Sequence, residues 1–118
     1  MAGTLNFGFN MSAVIDGINR SPMQFPGIAI AVAGSDVTGR TETLSTTETT
    51  ADLGDVGTPG VIWIWNLGSV DVRFGCHPGN YTGRVKPGEC WPFRLDGTVV
   101  YWRCVSSTCR IEYWVVSN

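Results

Sequence analysis

Turn-forming residues interrupt this chain about every ten positions, and the intervals between them are too short, and patterned at the wrong period, for a substantial helix. Glycine occurs 15 times, while the intervals are rich in valine and threonine and poor in leucine. Residues of that kind suit a pleated, half-buried surface, so the chain is predicted to be all-β. Strands are expected over 4–10, 27–33, 40–45, 49–53, 61–66, 70–74, 81–85, 90–95, 99–104 and 109–116. Eight to ten short strands fit an antiparallel β-sandwich or jelly roll. The best helix candidate is 12–18, capped by Ser12 with Val14, Ile15 and Ile18 on one face; Gly17 and the short length limit it to about one turn.

At 118 residues the chain holds a single domain, with about two thirds of its surface buried on folding. Two regions are set off within it: an N-terminal arm over about 1–26, and a segment over 35–60 that stands apart by its polar composition. The second carries ten Ser and Thr residues and no aromatic side chain, and is expected at the periphery. Charged residues make up only 15%, and the net charge is −2. One Lys and seven Arg lie scattered without a basic run, which argues against tracking a nucleic-acid backbone. A surface this poor in charge suggests cover by a partner or by further copies. No apolar run approaches the ~20 residues of a membrane helix. The N-terminus shows no charged region followed by an apolar stretch, so no secretory signal is expected and synthesis is read as cytoplasmic.

Strand 61–66, Val-Ile-Trp-Ile-Trp-Asn, is apolar on both faces, with Val61, Trp63 and Trp65 on one and Ile62 and Ile64 on the other. Such a strand has one face in the core and the other under a second layer or a neighbouring subunit. At the C-terminus, a hairpin turning at Ser106 and Ser107 would set Cys104 opposite Cys109, with Cα atoms ~4.5 Å apart, and a disulfide fits there. That register gives a core face of Val100, Trp102, Cys104, Cys109, Ile111, Tyr113 and Val115. The other face holds Val99, Tyr101, Arg103, Arg110, Glu112 and Trp114, a mixture of charge and aromatic rings suited to an interface. Arg103 would face Arg110, a like-charge pair needing compensation. Ser-Ser is a poor primed turn, so a wider loop is the alternative.

Chemistry-bearing motifs are sparse. The one histidine, His77, follows Cys76 in Gly75-Cys-His-Pro-Gly-Asn80, a turn by composition. Adjacent residues point apart, so a thiol–imidazole pair is not expected there. Cysteine spacings of 14, 14 and 5 lack the short knuckle of a zinc site. No phosphate-binding glycine loop or nucleophile elbow is present, and the two Asn-x-Ser/Thr matches, at Asn10 and Asn80, read as chance. No catalytic residue, cofactor or metal is therefore expected. Exposed tryptophans leave room for a sugar-stacking platform.

Two stretches, Leu53-Gly-Asp-Val-Gly-Thr-Pro-Gly-Val-Ile-Trp-Ile-Trp-Asn-Leu67 with the following Val70 to Gly75, and Val85-Lys-Pro-Gly-Glu-Cys-Trp-Pro-Phe-Arg-Leu95, have a distinctive order of turns and strands. With the closing segment 101–116 they resemble small structural proteins of tailed-bacteriophage virions, over about residues 44–116. Gly60, Pro87 and Gly88 suit turn positions, and Asn66 suits a bend after its strand. The resemblance implies a virion location and a non-enzymatic role. The leading reading is a capsid decoration (cement) protein, commonly a homotrimer, bound to the major capsid protein or another virion protein. A tail, baseplate or fibre component is the alternative, and a carbohydrate-binding module the alternative of another class. Candidate interface residues are Trp63, Trp65, Tyr101, Arg103, Arg110, Glu112 and Trp114, with Cys104 and Cys109 as the candidate disulfide.

Overall fold

A computed structural model describes the backbone of residues 3–7, 10–15, 18–24, 28–32 and 37–117, and the side chains of residues 39–117. It contains β1 (Gly3–Phe7), β2 (Asn10–Ile15), β3 (Ile18–Gln24), β4 (Ile28–Val32), β5 (Val37–Leu44), β6 (Thr49–Thr50), β7 (Pro59–Asn66), β8 (Val72–Gly75), β9 (Gly83–Val85), β10 (Cys90–Arg94), β11 (Tyr101–Cys104) and β12 (Cys109–Ser117). Each expected strand overlaps an observed one. The expected helical turn over 12–18 is corrected: Ser12 to Ile15 belong to β2 and Ile18 opens β3, with the two strands antiparallel. Val14, Ile15 and Ile18 are β-branched and too few to form an apolar helical stripe, so the strand wins. Around that pair β1 runs antiparallel to β4, giving two nested two-stranded sheets.

The remaining eight strands form two four-stranded antiparallel sheets, ordered β10-β7-β12-β5 and β6-β11-β8-β9. The pairs β5·β12, β6·β11, β7·β10 and β8·β9 are the successive rungs of one long ribbon folded back on itself. Wrapping that ribbon so that β7 also pairs with β12, and β8 with β11, closes it into a jelly roll. Alternation along β11 and β12, and along β7 from Ile62, directs one side of each strand inward. Ile62, Ile64, Ile111, Tyr113 and Val115 from the first sheet meet Val72, Val85, Val100, Trp102 and Cys104 from the second, all fully buried. At the centre the Trp102 and Tyr113 rings meet edge to face at 4.7 Å. Phe74 and Phe93 fill the flank, 4.4 Å apart.

The C-terminal hairpin is corrected. β11 and β12 do not pair; they lie in opposite sheets, and residues 105–108 cross from one to the other. β11 has β6 and β8 on its two sides, and β12 has β5 and β7, so neither has a free edge for the other. The Val105 N–H continues the β8 side by donating to the Asp71 carbonyl at 3.0 Å. Ser107 alone adopts positive φ, 55°, where a primed two-residue turn needs two such residues. Cys104 and Cys109 are nevertheless disulfide-bonded, at a Cα separation of 6.4 Å, across the sandwich and not along a ladder. The facial assignment survives the change, because alternation belongs to each strand whatever its neighbour.

Asn66 ends β7 and is fully buried. Its Nδ2 donates to the carbonyls of Val70 (2.8 Å) and Val85 (3.0 Å), and its Oδ1 accepts from the Gly68 N–H (2.9 Å). One side chain thus joins the loop after β7 to β9 in the opposite sheet. Gly88, at φ 80°, is the third residue of the Lys86–Glu89 turn closed by the Glu89 N–H on the Lys86 carbonyl at 3.0 Å, with Pro87 second. Gly60 is not a turn residue: it lies within β7, and its carbonyl accepts from the Leu95 N–H at 2.8 Å. The polar segment 35–60 supplies the edge strands β5 and β6 and gives the core Leu44 and Val56, both 3% exposed.

Candidate functional site

The two outward faces of the sandwich carry the residues singled out from the sequence, and they divide them. On the first sheet, alternation that sends Ile62 and Ile64 inward turns Trp63 and Trp65 outward. The registers align Pro92, Trp63, Trp114 and Gly39 in one row across β10, β7, β12 and β5, and Cys90, Trp65, Glu112 and Thr41 in the next. Trp63 and Trp65 rings are 6.4 Å apart and inclined by 54°. The Trp114 indole lies over Gly39, where a Cβ would stand 2.6 Å from the ring. Trp65 and Trp114 remain 39% and 43% exposed, so a contiguous aromatic surface faces outward. The Trp63 indole N–H donates to the Cys90 thiol, whose pKa is pushed up by burial and by the Glu112 charge. A thiol shifted in that direction is a weak nucleophile at neutral pH. Arg110 also lies on this face, opposite Thr43 of β5.

Tyr101 and Arg103 lie on the far side, on the outer face of the second sheet. The expected juxtaposition of Arg103 with Arg110 is therefore corrected: the residue beside Arg103 is Arg73, and beside Arg73 is Arg84. Three guanidinium side chains line up across β11, β8 and β9. Carboxylates sit at the two ends of this row. Arg84 pairs with Asp71 at 3.4 Å. At the other end Arg103 lies over the Tyr81 ring at 5.4 Å, in the field of Glu48. Glu48 accepts from the Tyr81 hydroxyl at 2.5 Å and from the Gly79 N–H at 2.7 Å, and these bonds hold its pKa below the usual carboxylate range. Tyr81 reaches this position because Gly75 has no side chain; a Cβ there would collide with the Asn80 carbonyl.

His77 is exposed in the turn it was expected to occupy, bridged to Asn80, and Cys76 and Cys90 are free thiols. Among the described residues no group of three or more His, Cys, Asp or Glu side chains is placed to hold a metal ion. The structure therefore brings Trp63, Trp65, Arg110, Glu112 and Trp114 together and separates them from Tyr101 and Arg103. Sequence reasoning missed the Arg73 and Arg84 partners. Each alternates with inward apolar residues, which was visible, whereas the register joining them was not. No protein-family model matches this chain, and comparison with curated proteins and with solved structures gives no match.

Proposed function

We propose that this protein is a non-enzymatic structural subunit of a tailed-bacteriophage virion, a capsid decoration protein that binds the particle and self-associates through its tryptophan-bearing sheet face. The observation that carries the reading is the row of Trp63 and Trp114 with Trp65 beside it, left outside a core that is already filled. Large exposed apolar patches rimmed by polar groups mark protein contact surfaces, and tryptophan is among the residues that anchor them. The family resemblance over residues 44–116 supplies the virion assignment, and the jelly roll, a frequent capsid architecture, is compatible with it by analogy of fold. A flat sugar-stacking platform fits less well, because the Trp63 and Trp65 rings are inclined by 54°.

The test is to image particles with and without the protein, alongside sedimentation of wild type and Trp114→Ala. Wild type is expected to self-associate at micromolar concentration and to decorate the capsid, with both properties weakened in the variant. A monomeric wild type that does not bind particles would overturn the proposal. Density on the tail would move the assignment to a tail or fibre component, and tryptophan quenching by a glycan would favour the carbohydrate-binding module.

A further inference from the structure

The row Arg103, Arg73, Arg84 sets like charges side by side on neighbouring strands, an arrangement that costs stability unless anions offset it. The two outer members have such anions in Glu48 and Asp71. The middle one does not: among the described residues the Arg73 side chain makes no ion pair or hydrogen bond. The opposite face of the sandwich shows the complement. Glu112 is half-buried between Trp65 on β7 and Thr41 on β5, and it too has no ion pair among the described residues. One face thus presents a carboxylate beside indole rings, with Arg110 two residues along its strand, and the other a guanidinium without an ion pair between two further arginines and the tyrosines Tyr81 and Tyr101.

We propose that these faces are the two halves of one contact, in which the tryptophan face of one copy docks on the arginine face of a second copy and Glu112 of the first pairs with Arg73 of the second. The inference rests on the reading of the tryptophan face as a contact surface and names its occupant. Guanidinium groups stack favourably on indole faces, so whichever of Arg84 and Arg103 falls on the β7 side of the contact meets Trp65, which flanks Glu112 as each of those arginines flanks Arg73. The contact is small: β8 and β11 of the arginine sheet have four residues each, about 14 Å of strand, so the shared footprint is on the order of 250 Å², below the ~800 Å² per partner of a standard interface and in the range of weak, reversible association. A polyanion is the poorer occupant, since Glu48 and Asp71 close both ends of the row. The contact joins different faces and is therefore heterologous: it propagates as a stack unless the turn between copies closes it into a ring.

Charge exchange tests this directly. Arg73→Glu and Glu112→Arg, each confirmed folded by circular dichroism, are each expected to weaken self-association at least tenfold in sedimentation velocity at physiological salt. The double variant, and an equimolar mixture of the two single variants, are expected to recover it. If both single variants associate like wild type while Trp114→Ala does not associate, this inference falls and the tryptophan face stands as a contact for another occupant. Failure of both the double variant and the mixture to recover association would likewise overturn it. A monomeric wild type would overturn it together with the contact reading on which it rests.

Discussion

Replacing Asn66 by Leu keeps a side chain of similar volume at the end of β7 and removes three hydrogen bonds at once. The Val85 carbonyl loses its donor in a buried setting, whereas the Val70 carbonyl and the Gly68 N–H are partly buried and water reaches them. An orphaned buried polar group costs about 1–3 kcal/mol. Taking about 2 kcal/mol for Val85 and about 1 kcal/mol for each of the others gives about 4 kcal/mol. Native domains have only about 5–15 kcal/mol in total, so the variant is expected to unfold at a much lower urea concentration. Asn66→Asp is expected to be no better at neutral pH, because it turns a carboxylate oxygen towards two carbonyls. The assay is urea unfolding followed by tryptophan emission, with the slope compared between wild type and variants so that a change in midpoint reports stability. A loss below about 1 kcal/mol at unchanged slope would refute the assignment of Asn66 as the tie between the sheets.

Reducing the Cys104–Cys109 bond reopens a loop of about six residues, for which chain entropy gives about 2 kcal/mol; urea unfolding with and without reductant measures it. Trp114→Ala removes a side chain that is 43% exposed, so its unfolding midpoint should stay close to wild type while association weakens by about 2 kcal/mol or more, as read by sedimentation. Tyr113, pushed up to about 12 chiefly by burial and then by the Glu42 and Asp52 charges, holds its proton in the folded state beyond the value of 10 expected when unfolded. Its stabilising effect is thus complete below pH 10 and lost as pH rises through about 12, which absorbance near 295 nm and circular dichroism should show together. Glu48 has the opposite sign: its depressed pKa stabilises above the ordinary carboxylate range and that contribution disappears on acidification, so Glu48→Gln should flatten the acid limb of the stability curve.

The strands were legible because their residues report their own local surroundings. Ile62 and Ile64 against Trp63 and Trp65, or Trp102 and Tyr113 against Arg103 and Trp114, show period two whatever lies alongside. Partners were less legible, since pairing is a property of two strands at once. The short spacing of Cys104 and Cys109 suggests a bond along a hairpin; the bond forms across the sandwich instead, because the jelly-roll order places β11 and β12 in different sheets. The Arg103–Arg110 juxtaposition failed with that register, and the Arg103–Arg73–Arg84 row took its place. Asn66 read as a bend after a strand; that it also reaches β9 depends on contacts 19 residues apart, which no local pattern encodes. Val14, Ile15 and Ile18 favour extended backbone, a tendency that the cap-like Ser12 ahead of them masks in the sequence.

The covalent link between the sheets sits where β11 stops and β12 begins, and Asn66 ties the sheets at the same end of the barrel-like stack. At the opposite end, around Val115, Phe74 and Phe93, apolar contact is joined by the Tyr113 hydroxyl donating to the Asp52 carbonyl at 2.8 Å and by the exposed Arg40–Asp52 pair at 3.3 Å, with no covalent link among the described residues. The molecule is thus bound like a book with a spine: one edge is sewn, and the fore-edge is held by contacts that can exchange with solvent. The row of Trp63 and Trp114 lies on the fore-edge side of Asn66 and Ile111. Whatever settles on that row spans the strands of one cover and braces the margin that the disulfide does not reach.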